Sequence, residues 1–169
     1  MIRKKNLYAR PRKPFEKTRI EEENVLRKKY GLKNKTEIWK TLARVNYFRK
    51  RAMSLTNASQ EEQDVFFKKL KDIDLKVNSI ADVLGLGVED LLRRRLPSVV
   101  QKKGIATTVK QARQMVAHKR ILIQNNVVDS PSYLVKVHEE HTISLRKKEQ
   151  KSEHKAEAHV ETAPGVEHG

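Results

Sequence analysis

His138 and His141, flanked by Glu139 and Glu140, are the residues whose types and spacing come nearest to metal or acid–base chemistry. A zinc site needs a third and fourth ligand, and the chain has no Cys and no further His close by. A loop therefore explains the pair better than a metal centre. The paired carboxylates elsewhere fall in helical runs, and His118 has no nucleophile beside it. No catalytic residue, metal site or cofactor is expected. The stretch Val109–Val128, VKQARQMVAHKRILIQNNVV, holds a different chemistry. Its polar positions are Lys, Arg, Gln, His and Asn, without one acid. Donors and cations without acids suit phosphate oxygens, which accept charge-assisted hydrogen bonds.

The whole chain has the same bias. Its 169 residues carry 37 Lys and Arg against 21 Asp and Glu, a net charge of +16. Such an excess repels itself unless a polyanion lies nearby. Nucleic acid is the leading partner and an anionic membrane surface the second. No apolar run approaches the ~20 residues that span a bilayer. Residues 1–15 have six cations, two prolines and no apolar core of a secretory signal. Apolar residues make up 37%, so the cores must be small. The absence of Cys excludes disulfides and fits a reducing compartment. Residues 1–51 hold 18 basic and five acidic residues, whereas residues 149–169 hold five Glu and two Lys. The chain thus reads as a basic extended arm (1–15), a helical region (16–90), a compact unit (91–147) and a disordered acidic tail (148–169).

The elements that position these cations follow from periodicity. Glu16–Tyr30 reads as a helix stopped by Gly31. Ile38, Leu42 and Val45 mark a second helix, with Asn34 and Glu37 spaced like a capping box. Lys35, Lys40, Arg44, Arg49, Lys50 and Arg51 cover its remaining surface. Ser59 and Glu62 form another capping-box pattern, followed by the stripe Phe66, Leu70, Ile73, Val77 and Ile80, which predicts one long core-facing helix. Gly85 and Gly87 punctuate, Val88, Leu91 and Leu92 bury a short helix, and Pro97 opens another that Gly104 ends. Arg93, Arg94 and Arg95 fan over about 200° and cannot share one face.

Thr108 and Gln111 give a third capping box. The helix behind it has an apolar face of Val109, Ala112 and Val116, with Lys110, Arg113, Gln114 and Ala117 opposite. His118 closes it. Ile121–Ile123 and Val127–Val128 form a hairpin with Asn125 and Asn126 at the turn, since Asn tolerates φ > 0. SPSYLVKV and HTISL each supply a further strand. The fold class is α+β and mostly helical. The free amides at Thr108, the Lys110, Arg113 and Gln114 side chains and the Lys119–Arg120 loop would together reach two phosphate strands. With 5% aromatic residues a base-stacking sheet is disfavoured, so structured RNA read by shape is the expected partner. A DNA helix-turn-helix competes, but the hairpin follows too closely for a recognition helix.

These residues resemble a known family. LLRRRL, then KKGIATTVKQARQMVAHKRILIQNNVVDSPSYLVKV, is similar to the RNA-binding domain named after small-subunit ribosomal protein four. The matching residues are Arg95-Leu96, Gly104-Ile105-Ala106, Thr108 with Ala112-Arg113-Gln114, Val116-Ala117-His118 and Pro131-Ser132-Tyr133. RKPFEKTRIEEEN, YGLKNKTEIWK and DIDLKVNSIADVLGLGVEDLLRRRL resemble the archaeal and eukaryotic branch of that ribosomal family. The resemblance covers roughly residues 10–147. Pro97 replaces a common Asp, Lys119-Arg120 and Asn125-Asn126 replace bacterial His-Gly and Asn-Gly, and the zinc cysteines of some bacterial members are absent.

The resemblance implies two short helices on a short twisted antiparallel sheet. It implies a constituent of the cytoplasmic small ribosomal subunit, monomeric there, bound to a multi-helix junction of ribosomal RNA in the body. Roles in early assembly and decoding accuracy go with it, as do contacts to ribosomal protein five and to messenger RNA near its entry; DNA and membrane do not. The implied RNA contacts are Arg93, Arg94, Arg95, Lys103, Lys110, Arg113, Gln114, His118, Lys119, Arg120 and Ser132. The arm adds Arg3, Lys4, Lys5, Arg10, Arg12 and Lys13, and the second helix adds Lys35, Arg49 and Arg51. A ribosome-biogenesis factor on precursor RNA is the alternative. An RNA-targeting module of an enzyme is a third reading, and the length leaves little room for its catalytic domain.

Overall fold

Helix-stopping residues divide the N-terminal half. The computed structural model describes residues 8–146, so Arg3, Lys4, Lys5 and the acidic tail lie outside the described residues. Helix α1 (Lys17–Lys29) ends at Tyr30, and Gly31 takes φ +57° to turn the chain. Helix α2 (Lys35–Ser54) buries Ile38, Val45 and Ala52. Asn34 precedes it in extended conformation but its side chain makes no capping bond, so the expected box is absent. Glu37 instead accepts from the Lys33 amide at 3.2 Å.

The expected long helix after Ser59 is two helices. Helix α3 (Gln60–Lys71) stops, Asp74 adopts φ +62°, and helix α4 (Ile80–Gly85) begins afresh. Local capping outweighs the continued apolar stripe. The Ser79 hydroxyl accepts from the Asp82 amide at 3.2 Å, and the Asp82 carboxylate accepts from the Asn78 and Ser79 amides at 3.0 Å. Leu75 and Val77 still reach the core from the turn. Ser59 makes no side-chain cap either; the Gln63 side chain donates from Nε2 to the Leu55 and Ala58 carbonyls instead.

Helix α5 (Val88–Arg93) follows Gly87, whose amide donates to Asp90 at 2.8 Å. Helix α6 (Leu96–Lys102) has Pro97 in its first turn, and Gly104 leaves it with φ +76°. Helix α7 (Val109–Ala117) is capped by Thr108, whose hydroxyl accepts from the Gln111 amide at 3.2 Å. Only half of the expected box forms, because the Gln111 side chain accepts from the amide and hydroxyl of Thr107.

Strands β1 (Ile121–Ile123), β2 (Asn126–Val127) and β3 (Ile143–Leu145) make an antiparallel sheet in the order β2-β1-β3, and helix α8 (Val137–Glu140) precedes β3. The hairpin turn is Gln124-Asn125, with φ of +49° and +67°, and not Asn125-Asn126. The Ile123↔Asn126 pair closes this two-residue loop, with Ile121 and Ile123 buried on one face of β1. SPSYLVKV forms no strand. Its contact with the body is a backbone bridge, in which the Leu96 amide donates to the Tyr133 carbonyl at 2.9 Å and the Val135 amide to that of Arg94 at 3.0 Å.

Three apolar clusters result. Val99, Val100, Ala112, Val116, Ile121 and Val135 fill the α/β unit. Val45, Leu70, Val77, Val83 and Leu91 fill the helical unit. Tyr30, Leu32, Ile38 and Leu92 pack where α1, α2 and α5 meet. Gly31 sits at the seam between the units, because a Cβ there would lie 3.2 Å from the Lys110 nitrogen and 3.3 Å from Val109. Gly31→Ala should therefore lower unfolding stability by about 1–3 kcal/mol through left-handed strain and crowding, measured by denaturant titration; Gly85→Ala, in open space, is the control.

Candidate nucleic-acid interface

The cations chosen from sequence fall into two groups once their partners are known. One group is engaged within the protein. Arg94 is buried, and its guanidinium donates to Asp74 at 3.0 Å, Glu140 at 2.9 Å and the Val135 carbonyl at 3.2 Å. Arg95 is also buried and donates to Glu37 at 2.6 Å. Arg113 makes a fork to the same carboxylate, at 2.7 and 3.1 Å. Lys35 lies 3.2 Å from Glu23, and Arg49 donates to the Leu86 carbonyl at 2.7 Å. These five side chains are holding elements together in the free chain. The face of α7 expected to grip phosphate is therefore divided, because Arg113 turns toward α2. The start of α7 is likewise covered by Gly31, where free amides facing a ligand were expected.

The other group is exposed. Lys110, Gln114, His118, Lys119 and Arg120 follow the outer side of α7 and the turn after it. Lys119 has φ +58°, a left-handed conformation that a lysine adopts at a cost of about 1 kcal/mol. It lets the Arg120 amide donate to the Met115 carbonyl at 3.0 Å and starts β1. Lys103 is half-buried at the end of α6, and Ser132 is exposed, with its hydroxyl 3.1 Å from that of Ser130. Arg93 is largely exposed, 3.6 Å from Glu89.

Arg10, Arg12 and Lys13 are exposed on the described end of the arm. Arg19 anchors that end by donating to the Lys13 and Pro14 carbonyls at 2.9 and 3.0 Å. The Tyr8 ring lies 6.3 Å from that of Trp39, and the Lys40 ammonium sits 5.7 Å over Tyr8. The arm thus enters beside α2. There the structure adds Lys40, Arg44 and Tyr47, which the sequence-derived site left out, beside Arg51, which it included. Lys40, Arg44, Tyr47 and Arg51 recur at i, i+4, i+7 and i+11, all exposed, within an arc of about 60°. Their spacing was available in the sequence, but it competed with Lys35 and Arg49, whose internal partners are remote in the chain. Tyr47, 64% exposed among three cations, offers a stacking face for an unpaired base.

Carboxylates tuned by these contacts are structural. Burial opposes ionisation of Glu37, but hydrogen bonds from Arg113 and Arg95, together with their charges, outweigh it and hold the pKa at about 2. Burial also opposes ionisation of Glu140 and Glu23; Arg94 lowers the first, and Trp39, Arg19 and Lys35 lower the second. No group of three or more His, Cys, Asp or Glu able to hold a metal exists among the described residues. No helix there is long and apolar enough to cross a membrane.

Residues 94–141 match the S4 domain. The chain is 41% identical over 144 residues to the small ribosomal subunit protein uS4 of Methanothermobacter thermautotrophicus, covering 82% of this chain and 84% of that protein. It is 41% identical over 153 residues to the uS4 protein of Nanoarchaeum equitans, covering 86% and 85%. The uS4 protein of Methanosphaera stadtmanae is 39% identical over 144 residues.

The Glu37 pairing has a pH signature. Its folded-state pKa lies below the unfolded value of about 4.3, so its contribution is full above that pH and lost as pH falls toward 2. Stability should drop across this window, with Glu37 accounting for on the order of 3 kcal/mol. Urea titrations at stepped pH should show a shallower drop for Glu37→Gln.

Proposed function

Because the chain belongs to the small ribosomal subunit protein uS4 family, we propose that it binds small-subunit ribosomal RNA at a helical junction in the subunit body and helps to nucleate assembly there. Family membership makes it a ribosomal structural protein and not an enzyme. The observation that supports the RNA reading best is the exposed run from Lys110 through Gln114 and His118 to Arg120, which carries donors and cations without an acid. Phosphate contacts of this kind position a protein on folded RNA without reading sequence. The arm cations Arg10, Arg12 and Lys13, with Lys40, Arg44 and Arg51 on α2, form a second phosphate-facing surface. Lys103, Arg93 and Ser132 extend the first. Arg94, Arg95, Arg113, Lys35 and Arg49 serve by holding these surfaces in place. Arg3, Lys4 and Lys5 add three further cations to the basic N-terminal sequence. Contacts with ribosomal protein five and messenger RNA, an effect on decoding accuracy, and a cytoplasmic location complete the proposal.

Sedimentation tests the assignment. The protein should remain with mature small subunits after a salt wash; presence on precursor particles alone would establish a biogenesis factor instead. Lys119→Gly tests the mode of binding. Relief of the left-handed strain should raise stability by up to about 1 kcal/mol. The same change should weaken binding to junction RNA and reduce the slope of log affinity against log salt by about 0.7–0.9. Unchanged affinity and slope would remove Lys119 from the interface.

A further inference from the structure

Two consecutive arginines join the helical and α/β units, and their side chains reach in different directions. Arg94 goes to Asp74 and Glu140, whereas Arg95 goes to Glu37 on α2. Glu37 also takes Arg113 of α7, which is 76 positions away in the chain. The Glu37 side chain is 18% exposed and that of Arg95 7%, so solvent screens this triad weakly.

Apolar packing across the seam is non-directional and tolerates rotation. A planar guanidinium forked onto a carboxylate fixes angle as well as distance. At the Gly31 backbone the two units also come close, so that a Cβ there would lie 3.2–3.3 Å from atoms of Lys110 and Val109. We propose that Glu37 is a positioning residue for RNA binding: by holding Arg95 and Arg113 together, it sets the angle between the two units at which their exposed cations meet one RNA. The proposal rests on the ribosomal RNA reading above. Removing the carboxylate does more than delete a contact, because it leaves two guanidinium groups facing each other without a counter-charge. The Arg94–Asp74 pair then remains as a pivot.

The full-length chain has no Cys, so two spin labels can be placed cleanly. Exposed Glu22 on α1 and Asp129 after β2 suit Glu22→Cys and Asp129→Cys. Pulsed electron-spin resonance on the RNA-free protein should give one narrow distance distribution in the parent. Glu37→Gln should broaden or shift it with helix content unchanged. Arg113→Lys, which keeps the charge but loses the fork, should give an intermediate width and carries the test if Glu37→Gln does not fold. Unaltered distributions would overturn the proposal. Binding to a small-subunit junction RNA should weaken about tenfold in Glu37→Gln, as two linked surfaces lose their common geometry. A broadened chain that binds RNA as tightly as the parent would also overturn it. A parent chain that does not bind the junction would overturn the ribosomal reading itself, leaving the widths to decide the latch.

Discussion

One carboxylate shared by two arginines sets much of this structure. Glu37 stands on α2, Arg95 just before Pro97 and Arg113 on α7. Each would be costly if left alone at the seam, since a buried charge needs a partner. Together they make one polar joint between a helical unit and an α/β unit that each have an apolar cluster of their own. Arg94 ties the opposite side, where Asp74 stands in the left-handed turn between α3 and α4 and Glu140 ends α8. The RRR run is thus divided by role. Arg93 faces solvent, Arg94 looks into one joint and Arg95 into another, as their spread around the chain requires.

This division changes what a basic protein's charge means. A net charge of +16 invites the assumption that every arginine meets phosphate. Arginine's rigid fork also makes it the better residue for internal carboxylates, while lysine's hydrated ammonium stays in water. The chain follows that preference in part. The buried ion pairs use Arg94 and Arg95, and Lys110, Lys119, Lys40 and Lys13 are exposed. Partner remoteness, rather than residue type alone, decides each case.

The α/β unit was the most legible part of the sequence. Short-range signals govern it: Pro97, Gly104, the Thr108 cap and the alternation at Ile121 and Ile123. Where the reading failed, a local signal met a stronger competitor. The stripe from Phe66 to Ile80 continues on paper, but the Ser79–Asp82 cap and left-handed Asp74 split it. The hairpin turn stands one residue earlier, at Gln124-Asn125, where both residues take positive φ and Asn126 pairs with Ile123. Glu37 looked like a cap to Asn34, since nothing at spacing three announces partners 58 and 76 residues away. The site suffered from the same limit. Exposed cations such as Lys119 and Arg120 were readable, whereas the engagement of Arg94, Arg95 and Arg113 depends on folding.

The sheet carries a further consequence. Its outer strands are β2, two residues long, and β3, three residues long. A sheet edge is a template on which a second chain can add a strand, and a long edge invites aggregation. Here the two edge strands pair over only two and three residues, and the flanking Asn125 and Arg146 are exposed. Short edges leave little for a second copy to pair with, and the net charge of +16 sets copies of the chain against one another.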